Sequence, residues 1–80
     1  MKAREKYIYK GEQNEYSPSK GALIEIDYLK GEWIHYKVID GVAPNVKNLR
    51  FKTGSDFEKE LVTYNPNAKE FLMDNALGIN

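Results

Sequence analysis

His35 is the only imidazole in the chain, and strand alternation sets it on one face with Trp33, Lys37, Glu25 and Asp27. An imidazole beside two carboxylates is the smallest group in this sequence able to do acid/base work or hold a divalent metal. The expected pairing puts Glu25 opposite His35, with Asp27 next along the same face. On an open sheet surface such a trio lacks the supporting shell and the exclusion of water that a metal or catalytic centre requires, and a cross-strand Glu–His pair is an ordinary contact. Nothing else competes. The chain has no glycine-rich phosphate loop, no Gly-x-Ser-x-Gly, no His-Glu-x-x-His and no cysteine. The sequence therefore reads as a non-enzyme with no cofactor and no metal.

Binding is the chemistry left. An exposed tryptophan buries a large area with few rotors and often anchors a protein interface. Trp33 is the anchor expected here, with Tyr36, His35, Lys37, Glu25 and Asp27 beside it and Arg50 and Lys52 projecting from the last strand. The opposing possibility is that the loop 12–21 or a C-terminal helix folds over Trp33 and makes it core. Tyr7, Tyr9, Tyr16, Trp33 and Phe51, interleaved with Lys10, Lys37, Arg50 and Lys52, can also be read as a platform for stacked bases. Charge weighs against that. Lys plus Arg and Asp plus Glu are 12 each, whereas a duplex binder ordinarily carries a basic excess. The balance is uneven along the chain: five cations against three anions in residues 1–20, five against four in 21–54 and two against five in 55–80. The acidic helix positions Asp56, Glu58, Glu60, Glu70 and Asp74 read as a solvated surface, suited to a basic partner if they have one.

The element that must position these groups is Ala22–Ile39, which carries two successive runs of period-two alternation. Ile24, Ile26 and Tyr28 share one face; Ile34, Tyr36 and Val38 share the matching face of the next run. A two-residue Lys30-Gly31 turn pairs Ile26 with His35, mixing core with solvent. A three-residue Leu29-Lys30-Gly31 loop pairs Ile26 with Ile34 and Ile24 with Tyr36, with Gly31 in the left-handed region. That is the expected register.

Around the hairpin, Lys6–Lys10 reads as a first strand, residues 12–21 as a long loop with a Pro18 turn, Val42-Ala43 as a stub of strand after the Asp40-Gly41 turn, and Leu49–Lys52 as the last strand. Ser55-Asp56-Phe57-Glu58 has the form of a capping box. It opens a helix whose stripe is Phe57, Leu61 and Tyr64. After Asn65-Pro66, a second helix carries Ala68, Phe71, Leu72 and Ala76, with Gly78 as its stop. The expectation is one α+β domain spanning 1–80: a small bent antiparallel sheet of four or five strands, in the manner of a partly open SH3-like barrel, with two short C-terminal helices.

A chain of 80 residues buries only about 60% of its unfolded surface, so packing must supply its stability without disulfides. A charged start and the lack of a long apolar run point to the cytoplasm and away from membranes. The function expected is a small protein-binding or regulatory module acting through an exposed sheet face or edge. The rival is an SH3-like nucleic-acid binder using Lys37, Arg50 and Lys52. Self-association through a sheet edge is a further possible partner mode.

Overall fold

A computed structural model describes residues 1–64. Five antiparallel strands form one curled, half-barrel sheet: β1 (Lys6–Tyr9), β2 (Leu23–Lys30), β3 (Trp33–Asp40), β4 (Arg50–Lys52) and β5 (Leu61–Thr63), ordered β4-β3-β2-β1-β5. The SH3-like barrel fits this sheet. A single helical turn, α1 (Asp56–Lys59), joins β4 to β5. The second helix expected after Pro66 lies outside the described residues.

The hairpin β2–β3 forms, but by a different solution to the register problem. Its turn has two residues, Gly31 and Glu32, and pairs Lys30 with Trp33, Leu29 with Ile34 and Tyr28 with His35. Gly31 sits at φ 60, the left-handed first central position of a type II′ turn, which suits the twist of the strands. Continued unbroken, that register would set Ile26 against Lys37. A bulge at Asp27 prevents this: beyond it Ile26 pairs with Tyr36, Glu25 with Lys37 and Ile24 with Val38. One unpaired residue restores parity. The expected three-residue loop is thus replaced by a two-residue turn plus a bulge: Tyr28 changes sides, and Leu29 and Lys30 leave the loop for the strand.

The core follows from this alternation. Ile24, Ile26, Ile34, Tyr36 and Phe51 are buried, with Tyr7, Val38, Leu49, Phe57 and Leu61 packed against them. Tyr9 is buried too. Phe57 is the ring α1 contributes: its centroid lies 4.9 Å from Tyr9 and 4.7 Å from Phe51, both stacked. The platform imagined for Tyr9 and Phe51 does not exist, because both rings are inside.

Burial leaves a signature at high pH. Desolvation pushes the Tyr36 phenol up to about 12; Tyr7 is also pushed up to about 12, by desolvation first and then by its hydrogen bond to Glu5. An unfolded tyrosine titrates near ~10. Because the folded values lie higher, this contribution to stability is complete below about pH 10 and is lost as pH rises towards 12. Thermal melts should show Tm falling steeply across that window, while a Tyr36→Phe variant falls less.

Ser55 caps α1 as expected, accepting from the Glu58 amide at 3.5 Å, but the Glu58 carboxylate accepts from the Gly54 amide at 2.6 Å and not from that of Ser55. The helix then stops. Leu61, Val62 and Thr63, expected as helix, form β5 instead, pairing with Tyr9, Ile8 and Tyr7. Two β-branched residues favour strand, and β1 offers an open edge whose groups would otherwise be unpaired. Val42-Ala43 forms no strand; the chain there is held by Ser19, whose amide donates to the Val42 carbonyl and whose hydroxyl accepts from the Val42 amide, both at 2.9 Å. Gly41 makes this approach possible. It lies at φ 113, and a Cβ there would fall 2.8 Å from that of Ala22. Gly41→Ala should cost about 2 kcal/mol through strain and clash, measured by urea denaturation.

Candidate functional site

Residues paired across antiparallel strands share a face, so the outer surface of the sheet can be written row by row. Lys6, Glu25 and Lys37 form one row, Tyr28, His35 and Arg50 the next, and Lys30, Trp33 and Lys52 the third. Five cations thus share the face with Glu25, with Glu32 at the turn and Asp40 at the far end. The chain's zero net charge conceals this segregation.

Over the Trp33 ring of the third row, the Arg50 guanidinium from the second row lies 4.1 Å from the centroid and the Lys52 ammonium 5.4 Å away. Such contacts hold a cation against an aromatic face and keep the ring from folding inward. Trp33 is half-buried beneath them. Lys52 also reaches Glu32 at 3.5 Å. In the second row His35 and Tyr28 stack with centroids 4.2 Å apart and 10° between planes. Tyr28 is 48% exposed and His35 half-buried, so the stack meets solvent on its Tyr28 side, beside Arg50. In the first row Glu25 bridges Lys6 at 3.4 Å and Lys37 at 3.6 Å, its own side chain 14% exposed.

This arrangement dissolves the acid/base trio. Glu25 faces Lys37 where His35 was expected, two cations neutralise it, and Asp27 occupies the bulge. Among the described residues no group of three His, Cys, Asp or Glu side chains is placed to hold a metal. Trp33, His35, Lys37, Glu25, Arg50 and Lys52 do share the outer face as expected. Tyr28, Lys6 and Lys30 join them, which alternation alone does not indicate. Alternation alone sets Tyr28 in the core, and only the Asp27 bulge turns it out. Nothing in a single sequence marks that bulge.

The loop 12–21 does not cover Trp33. Its buried residues Ser17 and Pro18 and its bonds to Val42 place it on other parts of the domain. Among the described residues no helix is long and apolar enough to cross a membrane. No protein-family model, curated protein or solved structure matches the chain.

Proposed function

We propose that this domain is a non-enzymatic binding module whose outer sheet face docks on an acidic surface of another protein. The observation that carries the reading is the half-buried Trp33 with Arg50 and Lys52 both against its ring, beside the Tyr28–His35 stack. A fixed aromatic ringed by cations supplies both buried area and charge complementarity, the combination typical of interface anchors. The face is a better candidate than an edge. β4 and β5, which close the sheet, have three residues each, and short edges give little ladder for strand addition or self-pairing.

The same cations favour the second reading, an SH3-like nucleic-acid binder acting through Lys37, Arg50 and Lys52. Against it, one face of Trp33 is taken by Arg50 and one face of Tyr28 by His35, where a base platform needs open faces. Retention of host-lysate components on the immobilised domain, with and without nuclease, separates the two. Nuclease-resistant retention of a protein that Arg50→Glu with Lys52→Glu abolishes supports the module. Retention lost on nuclease treatment, or unaffected by the charge reversal, refutes it.

A further inference from the structure

The outer face also indicates which acidic group it reads, an inference that rests on the module proposed above. Its cations are not alike. In the first row Lys6 and Lys37 share the carboxylate of Glu25, and in the third Lys52 reaches Glu32 at 3.5 Å. Arg50 and Lys30 are exposed and form no ion pair among the described residues. For Arg50 this is informative, because its position is fixed by other means. The guanidinium lies 4.1 Å from the centre of the half-buried Trp33 ring, and attraction to a ring face spends none of the cation's N–H donors. No side-chain hydrogen bond from Arg50 occurs among the described residues, so its planar fork of five donors is met by water.

Such a fork matches two oxygens carried on one atom, in a carboxylate or in a phosphoryl group. Charge decides between them. Rows two and three with their turn hold Lys30, Arg50 and Lys52 against Glu32 alone, an excess of two positive charges. Arg50 and Lys52 are both held against one ring, 4.1 and 5.4 Å from its centre, where they repel each other. A carboxylate supplies one negative charge, whereas a phosphate monoester supplies about two near pH 7 and has three acceptor oxygens. Only the monoester balances the patch and serves both cations at once. We infer that the outer face recognises a phosphorylated side chain of its partner protein, Arg50 giving its fork to two phosphoryl oxygens and Lys52 its ammonium to the third. The Lys52–Glu32 pair is exposed at both ends, so Lys52 gives up little in turning to the ligand. Arg50 is then the residue that sets specificity, since a lysine in its place keeps the charge and loses the fork.

The test titrates the full chain with two peptides of equal length and similar charge, acetyl-Gly-Gly-phosphoserine-Gly-amide and acetyl-Gly-Asp-Asp-Gly-amide, at matched ionic strength. Trp33, the single tryptophan, reports binding by its fluorescence. The phosphopeptide should saturate and bind about fivefold tighter than the Asp-Asp peptide. Arg50→Lys, which leaves the net charge unchanged, should weaken the phosphopeptide about tenfold and the Asp-Asp peptide less than about twofold. Lys20→Ala, in the loop 12–21, should change neither. Equal affinity for the two peptides, or an Arg50→Lys variant that binds the phosphopeptide as the parent does, overturns the inference and leaves the module reading standing, because a plain acidic surface then suffices. No saturation by the phosphopeptide overturns it as well, and if a deoxythymidine oligomer saturates in its place the protein-partner reading falls with it.

Discussion

Deleting Glu25 should unfold the domain, whereas deleting Asp27, two positions further on, should not. Asp27 has no partner in the β2–β3 ladder, so its loss leaves Tyr28 against His35 and Ile26 against Tyr36 in an unbulged strand. The change in stability should stay within about 1 kcal/mol, the bulge being a local feature of twist. Without Glu25 no register works. If the bulge persists, Ile24 is turned to solvent; if it closes up, Ile26 is turned out and Asp27 is driven into the core. Ile24 and Ile26 are both 0% exposed. Exposing one costs about 2 to 3 kcal/mol, and burying a carboxylate costs at least as much. A domain of this size has only about 5 kcal/mol to lose. Urea titrations of the two deletion variants decide the matter, and equal behaviour would discredit the bulge as the device that sets sides.

Phe57→Ala should be among the most damaging single substitutions outside the hairpin, at about 3 kcal/mol. The ring stacks on Tyr9 and Phe51 and is tilted against Tyr36 at 5.4 Å, so its removal opens a cavity touching three other aromatics. A drop in Tm of 10 °C or more is expected, at roughly 4 °C or more per kcal/mol in a domain this small. Phe57→Leu should recover part of it. A variant that melts within a degree or two of the parent would show that α1 does not seal the core.

How far the sequence revealed this molecule depends on the range of the interaction concerned. Ile24, Ile26, Ile34 and Tyr36 announce their side by alternation alone, because a period of two survives any register whose parity is even. Ser55 announces its cap for a similarly local reason. The identity of the turn was not legible, since Lys30-Gly31-Glu32 permits several loops and the choice is made by a bulge that costs little and leaves no residue signature. Leu61–Thr63 reads as helix in the sequence because Phe57, Leu61 and Tyr64 also fit a helical stripe. Its fate is settled by the vacant edge of β1, a contact between residues more than fifty positions apart. The candidate site inherits both kinds of information. Trp33, His35 and Lys37 follow from alternation, as Arg50 and Lys52 do on the last strand. Tyr28 and Lys6 could be placed only once the bulge and the β1–β2 pairing were known, and the pairing of Glu25 with Lys37 in place of His35 required the true register.

The functional reading rests on a single outward indole ringed by cations, and Trp33 is the only tryptophan in the chain. Its fluorescence therefore reports on that feature alone. Collisional quenching at low ionic strength by iodide and by caesium is the most direct test: the Arg50 and Lys52 charges beside the ring should draw the anion and repel the cation. The expected result is iodide quenching several-fold more efficient than caesium, with the difference abolished in Arg50→Gln/Lys52→Gln. Weak quenching by both ions together with a blue-shifted emission, or a preference for caesium, would contradict the account.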